Sequence, residues 1–170
     1  MEYVILPARP RDLAALPAIE LRAARLLEGV VPPSILAEFT SLEDFAAAQA
    51  TGRLWVALAE DQPVGFAIVE MLGDGLPHLE EIDVDPPHGR RGLGARLVRA
   101  VCDWTRERGY PEVTLTTYRD VPWNMPFYAR MGFEVVPDAE QRPALRDVVR
   151  YEAARGLEPA QRCVMRFRAR

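Results

Sequence analysis

The chain has 170 residues, of which 49% are hydrophobic and 27% are charged, and its formal net charge is −4. This length predicts one domain over residues 1–170, because two separate cores would each bury too little surface. The negative charge argues against a nucleic-acid partner. No apolar run approaches the ~20 residues of a membrane span, so no membrane partner is expected.

The chain contains no lysine, and this absence excludes several kinds of chemistry. All 21 basic residues are arginine, so a Walker phosphate loop or a Schiff base has no lysine to use. The arginine, alanine and proline content is typical of a GC-rich bacterial genome. Cys102 and Cys163 lack metal-site spacing and the N-terminus does not resemble a signal peptide, so we expect reduced thiols, no metal and a cytoplasmic location.

Hydrophobic periodicity and turn residues predict alternating strands and helices along the chain. The first half predicts a strand at 2–6, helices at about 10–27 and 34–50, and a hairpin of strands at 53–60 and 64–71 around the turn "EDQP". The second half predicts a strand at 78–84, a helix at about 92–108, a strand at 112–118, a short helix at "NMPFYARM", a strand at "FEVV", a helix at 143–155 and a last strand at "QRCVMRFR". The strand at 78–84 connects through the helix at 92–108 to the strand at 112–118. Such a connection predicts that the two strands are parallel and that the crossover is right-handed.

The stretch "DPPHGRRGLGARLV", residues 85–98, lies between a strand and a helix and has the composition of a phosphate loop. A dinucleotide loop would need a third glycine where Leu97 stands. A coenzyme A pyrophosphate cradle needs only bare backbone from about Gly89 to Ala95 at a helix N-terminus, with Arg90 and Arg91 adding charge. The alternative is a glycine-rich turn with two solvated arginines.

A second motif, "NMPFYARMGFEVV" at 124–136, follows the strand after that helix. Together, "GRRGLGA" and "NMPFYARMGF" resemble the GCN5-related N-acetyltransferase (GNAT) superfamily, strongly over 78–136. The resemblance implies an α/β GNAT fold: a mixed, mostly antiparallel seven-stranded sheet with a splayed parallel pair in the centre and helices on both faces. It also implies acetyl-CoA as co-substrate and acetyl transfer to an amine.

The resemblance assigns a set of residues to coenzyme A. They are Ile82, Asp83, Val84, Gly89, Arg90, Arg91, Gly92, Leu93, Gly94, Ala95, Asn124 and Tyr128. Gly89 departs from the family pattern, which usually has glutamine or arginine there, so only its backbone amide is left to bind phosphate. For Asn124 the alternative is a helix N-cap.

Acetyl transfer to an amine needs a base for the ammonium and an acid for the leaving thiolate. The resemblance makes Tyr128 the acid, and the alternative is an aromatic core anchor beside Phe127. For the base, Glu80 is the first candidate, His78 (through water) the second and Glu81 the third. The alternatives are a strand carboxylate paired with arginine for Glu80 and a solvated or satisfied histidine for His78.

The acceptor stays open at the level of sequence. We expect a primary amine of a small molecule or of a peptide or protein, and a homodimer is possible because pairing through the C-terminal strand is common in this superfamily. The helix at 143–155 is either a lid, a surface helix over a sheet edge or a dimer contact. A non-catalytic acyl-CoA-binding sensor of the same fold is the alternative function.

Overall fold

A computed structural model describes residues 1–170, which fall into two compact units. The first unit consists of Met1–Glu70 and Leu79–Val101. The second consists of Met71–His78 and Cys102–Arg170. A single domain over 1–170 stays a prediction.

The first unit begins with β1, Tyr3–Pro7, close to the predicted strand. The helix expected at about 10–27 is three pieces, because tight 3-10 turns at Pro10–Ala15 and Arg25–Leu27 flank α1, Leu16–Ala24. Pro17 lies in the first turn of α1, where a missing N–H is tolerated because first-turn N–H groups have no intrahelical acceptor. The prediction of one continuous helix is therefore corrected.

The helix expected at 34–50 is also divided, into α2, Pro33–Leu36, and α3, Leu42–Ala50. Ser41 is the N-cap of α3, and its Oγ accepts a hydrogen bond from the N–H of Asp44 at 3.1 Å. A side-chain cap of this kind starts a helix and separates it from preceding residues. The prediction placed the helix start at Ser34 and overlooked Ser41.

The predicted hairpin is present as β2, Leu54–Ala59, and β3, Gln62–Met71, with β2 also antiparallel to β1. Its turn is two residues long rather than four. Glu60 and Asp61 have φ of 48° and 67°. Positive φ at both central residues matches the twist of the flanking strands.

The core of the first unit lies under this hairpin. The rings of Phe45 and Phe66 meet edge to face at 5.1 Å between centroids. Around them lies one cluster of buried apolar side chains, which includes Leu16, Ile19, Leu54, Val56 and Ile68. Helices α1 and α3 are thus held to the strands by burial of apolar surface, at roughly 25 cal/mol per Å².

Strand β4, Pro77–Val84, and helix α4, Leu93–Glu107, match the predicted strand and helix to within a residue or two. One face of α4 is buried through Leu93, Leu97, Val98 and Val101, as the helical spacing predicts. Each of these two elements begins in one unit and ends in the other.

The second unit contains β5, Glu112–Tyr118, and β7, Arg162–Arg168, which pair antiparallel along their whole length. The short strand β6, Glu134–Val135, pairs with the other side of β7. Two helices complete the unit, α5 at Met125–Arg130 and α6 at Pro143–Ala154.

The strands form one seven-stranded sheet in the order β1-β2-β3-β4-β5-β7-β6. Strands β4 and β5 are parallel, with His78 opposite Thr114, and the other pairings described above are antiparallel. The predicted α/β fold with a mixed seven-stranded sheet and a parallel pair is confirmed. None of the helices combines the length and apolar character needed to cross a bilayer.

Helix α6 covers strands β6 and β7 within the second unit. Leu145 is buried and packs with Val136 and Val164, and Val149 packs against the same cluster. Of the three alternatives for this helix, the packing favours a helix that covers a sheet edge.

Both cysteines are free and buried. Burial raises the pKa of the Cys102 thiol to about 12 and also raises the pKa of the Cys163 thiol. Both cysteines are therefore small apolar side chains of the protein interior.

Candidate active site

The loop between β4 and α4 carries the glycine-rich motif. It makes a 3-10 turn at Pro86–His88 and then passes through Arg90 and Gly92, whose φ values are 58° and 75°. The first amide bonded within the helix is that of Arg96, which donates to the carbonyl of Gly92 at 3.1 Å. The N–H groups of the preceding turn therefore lack intrahelical acceptors, at the positive end of the helix dipole.

The residues of this motif face different environments. Arg90, Arg91 and Gly92 are exposed, Gly94 and Ala95 are half-buried, and the Leu93 side chain is buried in the core. The amide of Gly89 donates to the carbonyl of Pro86 at 3.1 Å. That hydrogen bond closes the turn and counts against the expectation that the Gly89 amide binds phosphate.

Two side chains from other elements of the first unit, Arg22 and Tyr3, hold the loop in place. Arg22 of α1 donates to both carboxylate oxygens of Asp85, at 2.8 Å each. The hydroxyl of Tyr3 lies 3.0 Å from Nδ1 of His88, and the Arg91 guanidinium lies 6.0 Å from the centre of the Tyr3 ring. His88 is thus an anchor of the loop.

Gly65 of β3 determines how closely the backbone approaches the end of β4. A Cβ at Gly65 would lie 2.8 Å from the carbonyl oxygen of Asp83 and 3.4 Å from Cα of Val84. Only glycine fits there without a backbone shift. Three residues of this strand that the resemblance assigns to coenzyme A are half-buried: Ile82, Asp83 and Val84.

Glu80, on the same strand, has an unusual acid–base character. Its side chain is open to solvent, yet surrounding protein displaces enough hydration to raise its pKa to about 7. The negative charges of Glu70, Asp44 and Glu20 raise the pKa further, and Arg53 opposes them. A carboxyl with this pKa changes protonation near neutral pH, as a general base must.

Glu20 also belongs to a cluster of three carboxylates with Glu81 and Asp83 of β4. One oxygen each from Glu20, Glu81 and Asp83 lies within 4.8 Å of the others, a donor set that hard cations accept. Glu20 already accepts hydrogen bonds from the N–H and hydroxyl of Thr40 at 2.8 and 3.0 Å. Desolvation, followed by the charges of Glu81 and Glu20, raises the pKa of Asp83 well above its usual range.

His78 does not suit the role of base. It is 3% exposed, and its Nδ1 lies 2.8 Å from Oγ1 of Thr114 on β5. Desolvation, followed by the charge of Arg162, lowers the pKa of His78 to about 4. Burial and the hydrogen bond to Thr114 therefore count against His78, the second candidate base, and fit the satisfied histidine that the sequence left open as the alternative.

Asn124 and Tyr128 lie in the second unit, at the start of α5 and within it. Asn124 occupies the N-cap position but its side chain makes no capping hydrogen bond, and its Nδ2 is buried without a partner. Buried donors are rarely left unsatisfied. The N-cap alternative is thus not supported, and the amide is a donor that a bound molecule could use.

Tyr128 is 7% exposed and packs among aromatic rings. Its ring centroid lies 5.1 Å from that of Phe127 and 5.7 Å from that of Phe133. This packing fits the aromatic-anchor alternative and fixes the direction of the hydroxyl, so it is compatible with both roles.

The first unit therefore brings together Glu80, the end of β4, the loop and the start of α4. His78, Asn124 and Tyr128 belong to the second unit. Sequence reasoning overlooked Arg22, Tyr3 and Gly65. A glycine inside a strand is a known sign of close backbone approach, whereas nothing local marks an ion pair between residues 22 and 85.

The chain resembles known proteins along much of its length. Residues 21–133 match the model of the Acetyltransferase (GNAT) family. N-acetyltransferase 8 of Homo sapiens is 36% identical over 87 residues, which are 47% of this chain and 37% of that protein. Glucosamine 6-phosphate N-acetyltransferase of Trypanosoma brucei brucei is 33% identical over 61 residues, 36% of this chain and 40% of that protein. The chain spans less than half the length of these two curated relatives.

One solved structure has the same fold over nearly the whole chain. The PaiA N-acetyltransferase from Thermoplasma acidophilum, in complex with coenzyme A, has a TM-score of 0.73 and 14% identity, covering 99% of both chains.

Proposed function

Because the chain belongs to the acetyltransferase (GNAT) family, we propose that it transfers an acetyl group from acetyl-CoA to a primary amine of a small molecule or peptide. The observation that carries this proposal is the exposed glycine loop at the N-terminus of α4, directly after the strand that bears Glu80. Acyl transfer to an amine requires a site that binds the phosphates of coenzyme A and a base. The loop would supply the first and Glu80 the second.

Coenzyme A suits the residues that the resemblance assigns to it. Unpaired N–H groups of Leu93, Gly94 and Ala95 at the start of α4, with the exposed Arg90 and Arg91, would bind the pyrophosphate. The backbone of Ile82, Asp83 and Val84 would bind the pantetheine amides. The buried, unpartnered Nδ2 of Asn124 supports its role as a further donor.

The chain's own residues supply the proton transfers. An alkylammonium with a pKa of ~10 is less than ~0.1% neutral at pH 7, so a base is needed. Glu80, with its pKa of about 7, takes the proton from the amine, directly or through water. The neutral amine nitrogen attacks the acetyl carbonyl carbon, the carbon–sulfur bond breaks, and Tyr128 donates its phenolic proton to the departing thiolate. The nitrogen then loses its second proton to solvent, and solvent returns a proton to the phenolate of Tyr128.

Release of free thiol from acetyl-CoA, measured across a panel of amines, tests this function. We expect turnover with at least one amine, and the Tyr128→Phe substitution should lower kcat by about 10²-fold with little change in acetyl-CoA binding. Tyr151→Phe, which changes an exposed tyrosine on α6, is the matched control and should leave kcat unchanged.

The sensor alternative gives a different outcome in the same experiment. Binding of acetyl-CoA without turnover on any amine, and no effect of Tyr128→Phe, would favour a non-catalytic acyl-CoA-binding module. A cytoplasmic location and a homodimer remain predictions for the protein.

A further inference from the structure

The second unit contains a cavity of about 480 Å³ that the acetyl-transfer chemistry above does not use. It is lined by the end of β5, by β6, by one face of α6 and by the start of β7. All of these elements belong to Cys102–Arg170, so the cavity is complete within one compact unit.

The lining carries an excess of positive charge. Four arginines line the cavity, namely Arg119, Arg146, Arg150 and Arg162, against two carboxylates, Asp138 and Glu152. Both carboxylates are already engaged: Asp138 accepts from Nε2 of Gln141 at 3.1 Å, and Glu152 accepts from Thr116 and Arg162. The lining is therefore locally positive, although the net charge of the whole protein is −4.

Arg162 is fixed in the wall of the cavity. Its Nη2 donates to Oγ1 of Thr116 at 3.1 Å and to Oε1 of Glu152 at 3.2 Å, and its guanidinium lies 4.7 Å from the centre of the Tyr118 ring. Its Nε is buried without a hydrogen-bond partner. A rigid guanidinium with an unused donor is preorganised for an anion.

Two of the other lining arginines, Arg146 and Arg150, leave positive charge available to a ligand. Arg146 is exposed on α6, and its guanidinium has no ion-pair partner. Arg150 pairs with Asp147 at 2.8 Å, but both side chains are about 70% exposed, at 72% and 70%. Such a pair is weak and readily exchanged for another anion.

The rest of the lining is apolar. Val136, Val149, Val164 and Leu157 line the cavity, and the three valines belong to the cluster around Leu145. A ligand that fills this space must therefore offer an apolar body as well as a charged end.

We propose that this cavity binds a small organic anion, a molecule with an apolar body and one carboxylate or phosphate group that pairs with Arg162 and Arg146. The anion has two possible sources: the anionic group of the acceptor amine itself, or a separate ligand. Binding at this site does not depend on the proposed acetyl transfer.

Calorimetric titration with benzoate at constant ionic strength tests the site directly. We expect benzoate to bind the wild-type protein and benzyl alcohol, which has the same ring without the charge, to bind at least tenfold more weakly. Arg146→Gln should weaken benzoate binding by about tenfold, because it removes one charged hydrogen-bond donor. Arg108→Gln removes an exposed arginine outside the cavity and should leave binding unchanged.

Absence of benzoate binding to the wild-type protein, or equal weakening by Arg108→Gln and Arg146→Gln, would overturn the proposed site. Circular dichroism of each variant confirms that the fold is retained.

Steady-state kinetics with the best amine of the panel identifies the source of the anion, and this arm alone rests on the proposed acetyl transfer. If benzoate raises KM for the amine at unchanged kcat, the acceptor's own anionic group occupies the cavity. If benzoate changes kcat at unchanged KM, the cavity binds a separate ligand.

Discussion

The environment of Glu80 shows how one side chain acquires its chemistry from its neighbours. Loss of hydration raises its pKa from the usual 4.5 to about 7, and three nearby acids contribute. Since the folded protein binds this proton more tightly than the unfolded chain, Glu80 contributes stability at low pH. That contribution is complete below pH 4.5 and is lost as the pH rises through about 7.

We expect Glu80→Gln to lower kcat/KM by about 10²- to 10⁴-fold, because the amide cannot accept the ammonium proton. In the wild-type protein kcat/KM should rise with pH, with a midpoint near 7, because it follows the pKa of Glu80 in the protein without bound substrate. Glu70→Gln, which removes a like charge, should keep activity and move this midpoint to lower pH. An unchanged pH–rate profile in Glu80→Gln would contradict the assignment.

At the level of single residues the sequence predicted the carboxylates of β4 but not their environment. Strand alternation placed Glu81 and Asp83 on one face, and both contribute to the carboxylate cluster. The burial of His78 against Thr114 depends on a strand 36 residues away. Local pattern carries no information about such a contact.

At the level of elements, the loop after β4 is positioned by side chains from distant parts of the first unit. Arg22 of α1 and Tyr3 of β1 contact Asp85 and His88, so the loop does not rely on its own proline and glycine residues alone. A phosphate site made of backbone amides depends on such positioning, since the amides have little reach of their own.

We expect Arg22→Gln to raise KM for acetyl-CoA about two- to fivefold with little change in kcat, because the Arg22–Asp85 pair is partly exposed and worth under ~1 kcal/mol. Arg25→Gln, an exposed arginine just after α1, is the matched control. Initial rates measured at varied acetyl-CoA concentrations give KM and kcat for each variant and so test this expectation. Equal effects of the two substitutions would contradict a specific role for Arg22.

Element boundaries were predictable where a residue enforces them. Helix α4 ends before Gly109, whose φ is 74°, and β4 ends before Pro86. The break between α2 and α3 lies at the Ser41 cap, and the preceding residue, Thr40, donates hydrogen bonds from its N–H and hydroxyl to Glu20, 20 residues earlier in the chain. Helix propensity is too weak to resist such tertiary contacts.

At the level of the whole molecule, β4 and α4 connect the two compact units. Pro77 and His78 belong to the second unit and the rest of β4 to the first, and α4 is divided after Val101. Unfolding of either unit would therefore disrupt an element of the other. This continuity along the chain favours one cooperative structure over two independent ones.

Differential scanning calorimetry should show a single transition whose calorimetric and van't Hoff enthalpies agree. Leu97→Ala, which removes a fully buried side chain from the first half of α4, should cost ~2–5 kcal/mol and shift that whole transition. Arg99→Ala, on the exposed face of the same helix, should shift it little. Two separate transitions would show that the units unfold independently.

The two buried thiols affect how the proposed activity can be assayed. Thiol reagents react with thiolates, and burial keeps both Cys102 and Cys163 protonated at neutral pH. A colour reagent for free thiol should therefore report released coenzyme A against a low background from the protein. Slow acetyl transfer to a poor amine, if it occurs, could then be followed at high protein concentration. A protein with a reactive cysteine would give too high a background for that measurement.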